Sequence, residues 1–244
     1  MALAEPFGVV QRGEWPDPIS FRRGWARAEV RRWNDVEEAA YLRLIRGSAG
    51  FLKACTDKIH DNGATSVISP PIPVSGLKTW ESADYERFMD LALMRRSLDG
   101  RPSPPQHLVV EADRSELEGL LRIDRAAFSS FWRFDADGLN EALDATGKSV
   151  ILVIRNADGD SVAFAIVGFG HAIAYLQRVA VDPAWQGHGM GRSLVRIAAK
   201  RARTEGAKAM LLNTQFDNEA AIALYESEGF VSMPDRLALV RHGV

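Results

Sequence analysis

Three glycines, Gly187, Gly189 and Gly191, alternate with other residues in VDPAWQGHGMGRSLV (181–195), directly ahead of a segment with helical apolar spacing. Glycines placed this way let the backbone approach a ligand closely, and a helix N-terminus favours an anion. Two familiar phosphate loops do not fit. A Walker loop needs lysine after its last glycine, and none follows here. Arg192 stands where a dinucleotide loop would have its final glycine. The strand before the loop also follows hairpin-connected strands instead of opening a βαβ unit. Elsewhere, reactive residues are sparse. Cys55 is the single cysteine, which excludes an intramolecular disulfide and a cysteine metal cluster, and it reads as a small buried hydrophobe. His171 falls in a predicted hairpin and reads as structural.

The elements that must position this loop follow from periodicity. QHLVVEA (106–112) predicts a strand, and Ser115 a cap for the helix ELEGLLRIDRAAF, with Leu117, Leu120, Leu121, Asp124 and Phe128 on one face. A loop and a second helix follow in 131–147. SVILVIRNADGDSVAFAIVGF predicts two strands around an Asn-Ala-Asp-Gly-Asp turn, and AIAYLQRVAVD a third. Beyond the glycines, Leu194, Ile197, Ala198 and Ala202 line one helical face, with Gly206 as its C-terminal cap. AKAMLLNT is a strand, Asp217 or Asn218 caps EAAIALYESE, and RLALVRH is a last strand. The class is α/β (α+β), a mixed sheet with helices on it.

The 244 residues carry 46% hydrophobic and 25% charged side chains, ordinary for a globular protein with a real core. A net charge of -2 argues against nucleic acid as an obligatory partner. SVAFAIVGFGHAIAYL is too short and too interrupted for a membrane helix, and the N-terminal run lacks a secretory pattern. The expectation is a cytoplasmic protein with no membrane partner.

LQRVAVDPAWQGHGMGRSLV (176–195) resembles motif A of the GNAT superfamily of acetyl-CoA-dependent N-acetyltransferases. The matching features are a strand ending Val181-Asp182-Pro183, then Gln186-Gly187-His188-Gly189-Met190-Gly191 opening a helix. NTQFDNEAAIALYESEGF (213–230), with Asn218 and Tyr225, is similar to the family's motif B. The resemblance spans about 106–241. It implies a mostly antiparallel GNAT sheet flanked by helices, and acetyl-CoA as acyl donor without a metal. Backbone N–H groups of Gln186, Gly187, His188, Gly189, Met190, Gly191 and Arg192 would hold the pyrophosphate. Val179, Ala180 and Val181 would pair with the pantetheine arm as an added strand does. A backbone N–H at Val179 or Ala180 would face the developing oxyanion. Tyr225 matches the general acid for the leaving thiolate, while Asn218 either binds the cofactor or caps its helix. No general base is evident, and Asp124 and Glu141 read as solvated or structural. The implied reaction moves an acetyl group to a primary amine of a small molecule, a protein N-terminus or a lysine. The alternatives are a non-catalytic acetyl-CoA sensor or scaffold, and an interaction protein with an empty loop. The segment FSSFWRFDADGLNEALD (128–144) occupies the place that covers the acceptor in many family members. It is similar there to ribosomal-protein Nα-acetyltransferases, with Phe131-Trp132 and a following helix.

The N-terminal part reads as a partial copy. LKACTDKIHDNGATSVIS (52–69) has the helix–glycine–strand layout of VRIAAKRARTEGAKAMLLN (195–213). TWESADYERFMDLALMR (79–95) sits beside LYESEGFVSMPDRLALVR (224–241). The copy has LIRGSAG (44–50) in place of the glycine loop and Trp80 in place of Tyr225. The expected organisation is a degenerate GNAT-like half at 1–98, a proline-rich linker at 99–105 and the acetyltransferase domain at 106–244. One acetyl-CoA per chain is expected, in a monomer or homodimer.

Overall fold

The computed structural model describes residues 8–34, 36–100 and 103–243. Arg101 and Pro102 of the expected linker and the first seven residues of the N-terminal run lie outside them. The strands are β1 (Val10–Arg12), β2 (Ile19–Arg23), β3 (Ala26–Trp33), β4 (Val36–Arg46), β5 (Ser66–Ile68), β6 (Ile72–Pro73) and β7 (Glu86–Ser97). They continue with β8 (Val110–Ala112), β9 (Lys148–Arg155), β10 (Ser161–Phe169), β11 (Ile173–Val181), β12 (Ala209–Gln215) and β13 (Val231–Gly243). The helices are α1 (Ala49–Asp61), α2 (Lys78–Glu81), α3 (Leu117–Ala127), α4 (Ala136–Asp144), α5 (Met190–Thr204) and α6 (Glu219–Ser227).

The chain forms two compact units, Met1–Leu91 with Asp235–Val244, and Ala92–Pro234. The break falls inside β7, ahead of the proline-rich segment, because the last residues of β7 fold with the second unit. Likewise most of β13 folds with the first unit.

In the second unit the strand order is β7-β12-β11-β10-β9-β8, antiparallel from β11 to β8 and parallel between β11 and β12. Side chains alternate across the pleat. Ile151, Val153, Phe164 and Ile166 pack against Leu120 and Ile123 of α3 and Leu139 and Leu143 of α4. Leu152, Ile154, Ala165 and Val167 pack on the opposite face with Leu194, Ala198 and Ala202 of α5. Both faces are covered, so β10 is buried along its whole length. Burying a side chain such as Ile166 stabilises by roughly 1.5–3 kcal/mol.

One cap differs from that expected, and two agree. Asp113, not Ser115, is the capping residue: its carboxylate accepts the Ser115 N–H at 2.7 Å and caps a 3₁₀ turn that precedes α3. Asn218 caps α6 through Ala221 N–H at 3.2 Å, and Gly206 follows α5 with φ 91°. The strand expected at 106–112 is only β8. The N–H groups of Gln106 and His107 go instead to Ser193 Oγ, at 3.1 and 3.2 Å.

In the first unit the order is β1-β2-β3-β4-β5-β13, parallel between β4 and β5, with β6 also on β13. Its core gathers Phe21, Leu42, Phe51, Leu52, Ile59, Val67, Ala238 and Val240. Cys55 is buried there, and burial pushes its thiol up to about 12, so it packs as a hydrophobe.

His242 of β13 meets His60 of α1, Nδ1 to Nε2, at 2.9 Å. His60 Nδ1 lies 2.7 Å from the Ala64 carbonyl, which only accepts, so that nitrogen carries a hydrogen. In the neutral pair, His242 therefore donates to His60. Burial, then the neighbouring His60, holds His242 below its usual value near 6.5, against the opposing pull of Asp57 and Asp84. A histidine with a lowered folded pKa binds fewer protons folded than unfolded, so its contribution to stability is lost as pH falls below that value. The melting temperature of the full chain is expected to drop from about pH 7 to about pH 5, and His242→Gln to flatten that drop. An identical pH profile in the variant would remove this assignment.

Candidate active site

β11 and β12 pair only over Ile173–Tyr175 and Ala209–Leu211, and no ladder joins Leu176–Val181 to β12. A bulge marks the departure. Val167 faces Leu176 and Ile166 faces Arg178, so Gln177 has no partner across the ladder. Gly168 leaves room for it, since a Cβ there would stand 2.3 Å from Gln177 Nε2. Beyond the bulge, Asp182 N–H donates to the Val162 carbonyl at 2.9 Å. Backbone groups alternate in direction along an antiparallel strand. Ala180 is thereby turned toward Phe164 of β10, while the N–H and C=O of Val179 and Val181 point to the side that β12 has left. In keeping with this, the Val181 carbonyl accepts Gln186 Nε2 at 3.0 Å.

The loop after β11 turns on two glycines in the left-handed region. Gly187 and Gly189 both have φ 79°, and Gly189 is the N-cap of α5. A Cβ on Gly187 would meet open space, so conformation alone requires glycine there. A Cβ on Gly189 would also stand 2.6 Å from Gln106 Oε1. Gly191 differs from the expectation. Its φ is ordinary, and a Cβ would press on Leu224 of α6 at 3.3 Å, so this glycine serves the approach of α5 to α6.

The rest of the loop is well tied. His107 Nε2 donates to the His188 carbonyl at 2.7 Å, and the His188 ring lies 3.3 Å from the Trp185 carbonyl. The Met190 side chain is buried in the core. Arg192, in the first turn of α5, is exposed and lies 3.5 Å from Glu228. Arg196 holds Glu228 at 2.9 Å and donates to the Pro104 carbonyl at 2.8 Å. Pro104 is thus fastened to α5. The N–H groups of α5's first turn lack intrahelical partners, and with the Arg192 charge they are of the kind that can hold an anion.

Tyr225 lies on α6, half-buried, 5.7 Å ring to ring from Phe230, and it packs on the same core as Val179 and Val181. Burial pushes its phenol up to about 12, and the nearby Arg178 charge works the other way. Asn218 uses its side-chain oxygen to cap α6. Asp124 is fully buried and ion-paired with Arg178, not solvated. Glu141 is half-buried on α4, and His171 is exposed in the β10–β11 turn. Sequence reasoning missed Gln106, His107, Gln177, Arg178 and Ser193. Only Arg178 had a usable signal: Asp124 sits on the apolar face of α3, and a carboxylate buried there requires a cation, a step the solvated-or-structural reading did not take.

Residues 117–230 match the profile of the acetyltransferase (GNAT) family. The chain is 40% identical over 118 residues to the ribosomal protein bS18-alanine N-acetyltransferase of Escherichia coli, covering 48% of this chain and 76% of that protein. It is 29% identical over 183 residues to a mycothiol acetyltransferase of Nocardioides sp., covering 63% of this chain. The chain spans 61% of that relative and 28% of a mycothiol acetyltransferase of Nocardiopsis dassonvillei. Among solved structures, a tandem GNAT protein from the clavulanic acid biosynthesis pathway superposes with TM-score 0.64 at 13% identity, over 95% of this chain and 84% of that one. A GCN5-related N-acetyltransferase from Sphaerobacter thermophilus gives 0.60 at 16%, over 93% and 81%. At these identities the likeness concerns the fold. The chain belongs to the GNAT acetyltransferase family, a family of acyltransferases, and its fold is that of the family. No helix among the described residues is long and apolar enough to cross a membrane.

Proposed function

We propose that this chain is an acetyl-CoA-dependent N-acetyltransferase that transfers the acetyl group to a primary amine by direct attack in a ternary complex. The observation that carries this is the outward-facing backbone of Val179 and Val181 beside the opening between β11 and β12, ending in a glycine turn at the N-terminus of α5. The fit is physical. Two amide-bearing residues, a backbone cradle and an exposed arginine match an amide-rich arm ending in a pyrophosphate. Acetyl-CoA supplies the thioester. Val179 N–H, not Ala180 N–H, is placed to donate to the carbonyl oxygen as charge develops there. The amine nitrogen bonds to the carbonyl carbon, the carbon–sulfur bond breaks, and the Tyr225 phenol donates its hydrogen to the departing sulfur. The Arg178 pairing argues against Asp124 as a general base, and water is the better acceptor of the amine's proton. The names of the relatives, a mycothiol acetyltransferase and a ribosomal protein bS18-alanine N-acetyltransferase, support an amine acceptor.

The first unit is proposed as a degenerate copy that binds no cofactor. Its α1 also joins parallel strands β4 and β5, but Ser48 caps that helix with its own hydroxyl, at 3.3 Å from Phe51 N. Phe51 fills the space beside Gly47, and Trp80 is buried edge-on to Tyr85 at 4.9 Å. Calorimetry with acetyl-CoA is expected to give one site per chain. Thiol release is expected with a panel of primary amines that includes an alanine-initiated peptide. Two sites per chain would defeat the stoichiometry, and binding without any thiol release would leave a sensor. Gly189→Val is expected to weaken acetyl-CoA binding at least about tenfold in a folded protein, since a branched residue at positive φ must rebuild the cradle. Unchanged affinity would refute the phosphate-loop assignment.

A further inference from the structure

The side chain of Asp124 has 0% exposure and that of Arg178 has 9%. Arg178 Nε meets Asp124 Oδ2 at 2.6 Å and Nη2 meets Oδ1 at 2.8 Å, a fork on both carboxylate oxygens. Groups from 128–134 converge on this pair. The Phe128 and Phe134 rings lie 3.5 and 4.0 Å from the guanidinium carbon. Nη2 also donates to the Trp132 carbonyl at 2.7 Å, and Phe134 N–H donates to Asp124 Oδ1 at 2.6 Å. The segment's own backbone bonds are those of a local turn, Trp132 and Arg133 N–H to the Ser129 carbonyl, at 2.9 and 3.0 Å. Arg178 stands one residue beyond the bulge and one before Val179.

We propose that Arg178, held by Asp124, is a positioning residue for the acceptor. It fixes 128–134 against the bulged strand, so that the acceptor amine enters beside the Val179 N–H. The proposal deepens the acetyltransferase reading and rests on it. The side chain has to be arginine. Its rigid fork serves both carboxylate oxygens and a carbonyl at once while two aromatic rings lie against the guanidinium, and an ammonium has no such fork to meet both carboxylate oxygens. Asp124 keeps the guanidinium from turning toward solvent, and the mutual pairing makes it costly to remove one partner alone.

The test uses the full chain and two variants. The Asp124→Asn/Arg178→Met double variant removes both charges, leaving neither buried alone, and Arg178→Lys keeps a charge for Asp124. Three quantities are read: acetyl-CoA affinity by calorimetry, backbone hydrogen exchange across 128–134, and steady-state kinetics with an alanine-initiated hexapeptide. Both variants are expected to keep acetyl-CoA affinity and the protection of β10. Both should exchange 128–134 faster and raise the acceptor KM by about tenfold or more, with a smaller change in kcat, as misplacement of a binding segment does. Unchanged exchange and unchanged KM in a folded variant would overturn the proposal, and so would full rescue by Arg178→Lys. If the double variant does not fold, Arg178→Lys decides by the same readouts. If the wild-type chain binds acetyl-CoA yet acetylates neither the peptide nor any amine in the panel, the acetyltransferase reading fails. The exchange measurement then decides separately whether the pair holds the segment.

Discussion

Deleting residues 1–100 is expected to give an aggregating or inactive chain, not an unregulated enzyme. The second unit begins at Ala92, so the deletion removes part of its own core. Met94 and Leu98 are buried in the cluster that also holds Leu212 and Phe230, and Leu98 N–H donates to the Lys208 carbonyl at 3.0 Å. Losing a buried leucine or methionine costs about 2–5 kcal/mol, and two such losses approach the roughly 5–15 kcal/mol that stabilises a whole domain. β12 also loses its β7 neighbour and becomes an open edge, a template for pairing with other chains. At the other end, Ala238 and Val240 lose the core of the first unit, where both are fully buried. Gel filtration and thiol release on a 106–244 fragment check this. A fragment spanning 92–234 restores the missing core residues and omits the orphaned strand, so it is expected to be the more soluble of the two. A monomeric and fully active 106–244 fragment would sink the argument.

Replacing Tyr225 with phenylalanine is expected to lower kcat roughly a hundredfold, the ordinary scale of a positioned general acid. Acetyl-CoA affinity should stay near wild type, because the hydroxyl is asked to act on sulfur only as the carbon–sulfur bond breaks. The ring remains to pack against Phe230 and the core, so stability should change little. With its pKa pushed up to about 12, the phenol keeps its hydrogen throughout the usual assay range. The sign is that of an acid required in its protonated form, so loss of rate on this account comes only as pH rises toward 12. Wild-type turnover in Tyr225→Phe with every good acceptor would assign the proton to water or another donor.

Much of the second unit is legible in the sequence because its signals are local. Short apolar runs bounded by turn residues mark β9, β10 and β11, and helical spacing marks α3 and α5. Positive-φ glycines at 187 and 189 announce the turn between β11 and α5, since few other residues adopt that backbone. The order of these elements and the two motif runs were sufficient to place the chain in its family. Some roles needed the tertiary structure. Gly191 resembles its two neighbours in the sequence, yet it answers to Leu224, thirty-odd residues away in the chain. Whether Val179 or Ala180 faces the opening depends on the phase of the β10–β11 ladder, which a bulge at Gln177 resets. Local periodicity does not reveal such a bulge. Asp124 read as solvated or structural, and helical spacing cannot say that it is buried and paired with Arg178 on a strand fifty-four positions later. The composition of the two units could not be read either. The stretches 92–97 and 235–243 are ordinary strands by pattern, and a strand's sequence specifies which of its faces is buried but not which neighbour it pairs with. Only the assembled sheets decide that.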